Sequence, residues 1–123
     1  MTAAAIPLDG LVHYDLGSID RIPPGEGQTF VVAGREVAVF RARGTDEVHA
    51  VQARCPHKAG LLADGIVGDG KVICPLHSYK FDLATGTPLG NACHSLATYR
   101  TEITDDRHVL LWLAPVHARS GGA

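Results

Sequence analysis

The chain has little cysteine, no run of like charge and no sustained helical periodicity, and each shortage excludes a class of protein. Three cysteines in 123 residues are too few and too odd in number for a disulfide framework. In a chain without an export signal, such cysteines serve more often as metal ligands or as thiols. No basic stripe accompanies the formal net charge of -2, so the electrostatic footprint that nucleic-acid binding requires is missing. The longest apolar run, Val109 to Ala114, falls far short of the roughly 18 residues that span a bilayer, and no membrane partner is expected. The opening residues Met1 to Pro7 carry no positive n-region and no twin arginine, which makes the cytoplasm the expected location.

What is present is the composition of a folded protein. Apolar residues make up 46% and charged residues 20% of the chain, and the length suits one domain with a single core. Fourteen glycines and seven prolines punctuate short apolar or β-branched runs, a pattern of many short strands. The expected class is all-β, built of small antiparallel sheets. Candidate strands are Leu11 to Leu16, Thr29 to Val32, Glu36 to Ala42, Val48 to Ala53, Leu62 to Val67, Lys71 to Cys74, Lys80 to Leu83, Ala97 to Thr104 and His108 to Leu113. Turn chemistry at Pro23-Pro24-Gly25, Ala33-Gly34, Gly44-Thr45-Asp46, Gly68-Asp69-Gly70, Thr85-Gly86 and Asp105-Asp106 predicts hairpins. Residues 1–10 read as a lead-in, 11–114 as the domain, and 115–123, small and polar with a Gly-Gly pair, as a flexible tail.

Two segments carry chemistry: Cys55-Pro56-His57-Lys58-Ala59-Gly60 and Cys74-Pro75-Leu76-His77-Ser78-Tyr79. Each sets a soft thiolate near an imidazole. The sixteen residues between His57 and Cys74 can run out along Leu62 to Val67, turn at Gly68-Asp69-Gly70, and return along Lys71 to Ile73. Arms of about 15 to 20 Å, at roughly 3.3 Å per residue, then bring both segments to one end of a sheet. Two thiolates and two imidazoles suit either a tetrahedral zinc or a two-iron cluster. A Cys2His2 zinc finger groups like ligands with like. Here each segment offers one of each, which favours two inequivalent irons over a zinc-binding interaction module.

The C-x-H and C-x-x-H boxes resemble those of Rieske iron-sulfur proteins. The resemblance runs from about Leu11 to Leu113 and includes Gly25, Leu62-Ala63-Asp64-Gly65 and Phe81-Asp82-Leu83-Ala84-Thr85-Gly86. It implies a Rieske-type fold whose cluster-binding subdomain is formed by two loops, with one 2Fe-2S cluster per chain. It also assigns Cys55 and Cys74 to the inner iron and His57 and His77 to the outer one near the surface. Leu61, Leu62, Pro75 and Leu76 are candidates to shield the sulfides, with plain core packing as the competing role.

Departures from the respiratory members narrow the type. Their loop-linking disulfide is impossible here, because Gly60 and Leu76 hold the two places. Their serine and tyrosine donors after the second histidine are replaced by Tyr79 and Phe81. Fewer donors to sulfur place the expected potential in the lower part of the roughly −150 to +300 mV range of Rieske centres. The stretch Thr87 to Tyr99, with Cys93 inside it, resembles the small subunit of assimilatory NAD(P)H nitrite reductase. That resemblance implies an electron-transfer subunit without a substrate site of its own, docked on a larger partner bearing flavin and sirohaem. The alternative is a free-standing Rieske ferredoxin serving an aromatic-ring-hydroxylating dioxygenase and its reductase. Cys93 reads as a buried thiol rather than a ligand, and His13, His49, His94, His108 and His117 as surface or strand residues.

Overall fold

The structure, a computed structural model, describes residues 11–44, 46–56, 60–75, 79–90 and 94–114. Among them are eleven strands and two short 3-10 turns, with no α-helix. The strands are β1 (Val12–Ser18), β2 (Gly27–Val32), β3 (Arg35–Arg41), β4 (Val48–Gln52), β5 (Ile66–Gly68), β6 (Lys71–Ile73), β7 (Lys80–Asp82), β8 (Pro88–Leu89), β9 (Thr98–Tyr99), β10 (Thr101–Ile103) and β11 (His108–Leu113). They form three antiparallel sheets in the orders β1-β11-β10, β2-β3-β4-β9 and β5-β6-β7-β8. The all-β reading holds. Among the described residues no helix is long and apolar enough to cross a membrane.

The run Val37-Ala38-Val39-Phe40 in β3 is apolar without alternation because the strand is buried on both faces. Val37 and Val39 join Val48 and Ala50 of β4 in one core, against Leu111 and Leu113 of β11 and Ile19 and Ile22. Ala38 and Phe40, with Val51, face the other way into a second core shared with Val72 of β6, Phe81 of β7, Leu62, Leu83 and Leu96. The middle sheet is therefore a wall between two hydrophobic cores, where the sequence had implied one. Arg41 ends the run. It is 9% exposed, donates to the Ile22 carbonyl at 3.0 Å and lies 3.6 Å from the carboxylates of Asp20 and Asp46.

Turn chemistry explains the hairpins. Ala33 and Gly34 have φ of 52° and 80°, and Asp69 and Gly70 have 53° and 73°, the two positive values that a tight two-residue hairpin turn requires. Three expectations need correction. Leu62 to Val67 is not one strand: Leu62–Asp64 forms a 3-10 turn that tucks Leu62 into the second core, and only Ile66–Gly68 is extended. The hairpin does run out and back as expected, but each arm has three paired residues, about 10 Å rather than 15 to 20 Å. Ala97 to Thr104 is split at Arg100, where the chain leaves the middle sheet, in which β9 pairs with β4, for the outer one, in which β10 pairs with β11. The two-residue edge strand β8 begins with a proline, which a sheet edge tolerates and which hid it from a propensity reading.

Candidate metal centre

Both cysteine segments are loops at the ends of strands, and both close in the same way. In the first, the Cys55 N–H donates to the Gly60 carbonyl at 2.8 Å. In the second, the Cys74 N–H donates to the Tyr79 carbonyl at 2.7 Å. Each bond joins residues five positions apart, so both segments rest on the same kind of fixed base. Ile73 and Lys80, the last and first residues of β6 and β7, pair directly beneath the second loop. An isolated bridge between Arg54 and Leu61 and a 2.9 Å bond from the Leu62 N–H to the Ala53 carbonyl do the same beneath the first.

The fold brings the two cysteines together. Cys55 is 2% and Cys74 1% exposed, and both belong to the second core with Leu62, Phe81 and Leu96. Of the residues expected to shield the centre, Leu62 is fully buried in that core, Leu61 is half-buried and Pro75 is exposed. Tyr79, which stands where respiratory members carry a serine, packs against the same core. His57, His77, Leu76 and Cys93 lie outside the described residues. Among the described residues no three His, Cys, Asp or Glu side chains gather as a metal site.

Packing at the rear holds this end of the molecule in place. A Cβ on Gly65 would overlap the carbonyl oxygen of Ile73, so only glycine lets the chain leaving the 3-10 turn pass so close to β6. Gly86, at φ of 79°, stands equally close to the carbonyl of Leu96. At the foot of the first loop the Arg54 guanidinium donates to both carboxylate oxygens of Glu36, at 2.8 and 3.1 Å. These hydrogen bonds hold the Glu36 carboxyl below its usual range and raise the guanidinium. Neither this pair nor the Gln52 side chain, whose Oε1 accepts from the Ala97 N–H, stands out in the sequence. Partners 18 and 45 positions away leave no local pattern to find.

The donor set fits an iron-sulfur cluster. Two buried thiols stand at matched loop bases inside an apolar wall, which shields soft ligands from water, and each loop carries one histidine in its sequence. Comparison with known proteins agrees. The model of the Rieske-like [2Fe-2S] domain matches residues 13–111. The ferredoxin component of the naphthalene 1,2-dioxygenase/salicylate 5-hydroxylase systems of a Ralstonia species is 33% identical over 100 residues, covering 78% of this chain and 91% of its own. Among solved structures, the ferredoxin of carbazole 1,9a-dioxygenase from Nocardioides aromaticivorans IC177 superposes with a TM-score of 0.75 at 29% identity, covering 85% of this chain and 98% of that one. The nitrite reductase [NAD(P)H] small subunit from Erwinia carotovora gives 0.70 at 30% identity, covering 84% and 82%. The chain belongs to the Rieske-like [2Fe-2S] domain family, and a Rieske two-iron two-sulfur cluster is its cofactor.

Proposed function

We propose that Cys55 and Cys74 bind the inner iron and His57 and His77 the outer one, and that this Rieske electron-transfer protein hands single electrons to a larger redox partner. The observation that carries the reading is the pair of buried cysteines at the bases of two loops closed by the same hydrogen bond. When bound, the cluster accepts and releases one electron at a potential within roughly −150 to +300 mV. The chain's own residues do the rest. Leu62, Phe81 and Leu96 exclude water behind the thiolates, and two imidazoles in place of thiolates leave less negative charge for an incoming electron to meet. The functional unit is the span 11–114, and its expected place is the cytoplasm.

The larger partner we favour is a soluble NAD(P)H-dependent nitrite reductase, on the likeness to the Erwinia small subunit and on Thr87 to Tyr99. A second reading, service to a ring-hydroxylating oxygenase, is favoured by the 33% identity over 91% of the Ralstonia ferredoxin component. Lys58, Ser78 and Tyr79 are the proposed rim contacts of the docking surface that includes His57 and His77. At the foot of the first loop lies an open groove of about 330 Å3 lined by Arg35, Glu36, Gln52 and Arg54.

The test has two stages. Anaerobically purified protein should carry two irons and two acid-labile sulfides and, when reduced, an EPR signal of lower average g than an all-cysteine cluster. Stoichiometric zinc in a colourless protein rejects the assignment. A pull-down followed by NAD(P)H-dependent nitrite reduction with and without the chain then tests the partner. Nitrite reduction indifferent to the chain, with rapid electron delivery to an oxygenase, replaces the first partner by the second.

A further inference from the structure

The peptide unit between Arg54 and Cys55 is held at both ends. Its N–H, on Cys55, donates to the Gly60 carbonyl at 2.8 Å. Its carbonyl, on Arg54, accepts a 2.8 Å hydrogen bond from Nε2 of Gln52. The bridge between Arg54 and Leu61 is bracketed by bonds made by Ala53 and Cys55, so the Arg54 carbonyl points away from Leu61 and would have no ladder partner there. Gln52 supplies one.

The same carboxamide reaches the other way. Its Oε1 accepts from the Ala97 N–H at 2.7 Å, while the Gln52 backbone N–H donates to the Ala97 carbonyl at 2.9 Å. Gln52 thus extends the ladder between β4 and β9 by one residue with its side chain, at the point where the chain bends out of the middle sheet toward Cys55. Leu96, beside Ala97, donates to the Gly86 carbonyl at 2.8 Å, and Gly86 in turn to the Asp82 carbonyl at 2.7 Å at the end of β7. One amide therefore ties the foot of the first loop to the turn behind the second.

The second loop has no need of such a device. Ile73, which precedes Cys74, pairs with Ile66 on one side and Lys80 on the other, so the ladder itself fixes that peptide. Accepting the ligand assignment above, we propose that Gln52 is a positioning residue: by fixing the plane of the peptide before Cys55 it sets the direction from which that thiolate meets the cluster. A residue serving the ladder alone needs only the bond to Ala97. The bond to Arg54 makes sense only for the loop.

Substitution separates the two bonds. Gln52→Glu keeps an acceptor for the Ala97 N–H but cannot donate to the Arg54 carbonyl, whereas Gln52→Leu loses both. Thr101→Val is the control, removing another link to β4, the 3.3 Å bond to the Val48 carbonyl. In the cluster-loaded protein, both Gln52 variants should lose iron to a chelator about tenfold faster than wild type, the lower end of the 10- to 100-fold effect of outer partners on metal affinity. Their reduced EPR lines should broaden. Gln52→Glu should keep the thermal midpoint that Gln52→Leu lowers, and Thr101→Val should lower the midpoint without changing the EPR line shape. A Gln52→Glu protein with wild-type chelation rate and line shape overturns the proposal, as does a Thr101→Val protein that changes both equally. Wild-type protein without a Rieske signal overturns the ligand assignment itself, a result read before any variant is made.

Discussion

The two cores flank one wall, yet they are built for different tasks. The core between β3–β4 and the β1-β11-β10 sheet is closed by long strands, with β1 and β11 paired along Val12 to Ser18. The core on the other face is closed by strands of two or three residues, by a 3-10 turn and by two cysteines. Its sheet is too short to be stable alone. It depends on the wall, through Ala38, Phe40 and Val51, for the rigidity that a site needs. The long-stranded half is thus the scaffold, and the short-stranded half carries the proposed cluster site.

The sharpest break in that comparison is removal of a ligand. Cys55→Ala and Cys74→Ala should each abolish the cluster, because under the proposed ligand assignment each deletes a metal bond that also holds its loop. Among the described residues the scaffold core shares none with either loop, so its strands should persist. Iron analysis and circular dichroism on the same preparations check both halves. A Rieske spectrum in either variant contradicts the ligand assignment.

A smaller effect sharpens the contrast. Leu62 and Leu111 are both fully buried, one behind the cysteines and one in the scaffold. Truncating either to alanine should cost about 2 to 5 kcal/mol, the usual range for a buried leucine. Leu62→Ala should also speed cluster loss, since the cavity opens beside the thiols, while Leu111→Ala should lower stability alone. Denaturant midpoints and chelation rates at a fixed fraction folded separate the two. Equal chelation rates would mean that the halves are one mechanical unit.

Much of this division can be read from residues, and the unreadable parts share a physical cause. The turn pairs Ala33-Gly34 and Asp69-Gly70 announce hairpins because two successive positive φ values admit few residues. The boundaries of β11 follow from an apolar run flanked by turn residues. The boxes around Cys55 and Cys74 are legible because ligand chemistry needs particular atoms at close spacing. By contrast, the unalternating run in β3 says that the strand is buried without saying that it separates two cores. The bend at Arg100, the 3-10 turn at Leu62 and the Gln52 bridge all rest on partners far along the chain. Such contacts exist only once the sheets have assembled.

The smallest expected effect tests whether the scaffold half has its own acid sensitivity. Asp15 sits at the irregular register between Asp15 and Ser18 of β1, opposite β11. Nδ1 of His108 lies 3.0 Å from both its carboxylate oxygens, and the Gly17 N–H donates to it at 2.7 Å. The bond with His108 first, and that from Gly17 second, hold the Asp15 carboxyl below its ordinary range. A carboxyl depressed in the folded state stabilises the fold at every pH above its unfolded value, about 3.9, and that contribution fades as pH falls through the lower folded value. Asp15→Asn removes the titration but keeps an acceptor for both donors. Wild type should therefore lose more stability than the variant on acidification below about pH 4, and the two should converge at the acid end. The single tryptophan, Trp112, pairs with His13 across β1 and β11, with ring centroids 5.3 Å apart. Its fluorescence therefore reports this pairing. Urea midpoints followed at Trp112 between pH 5 and 2 give the comparison directly, and parallel curves for the two proteins would show that the Asp15–His108 contact contributes nothing to the scaffold.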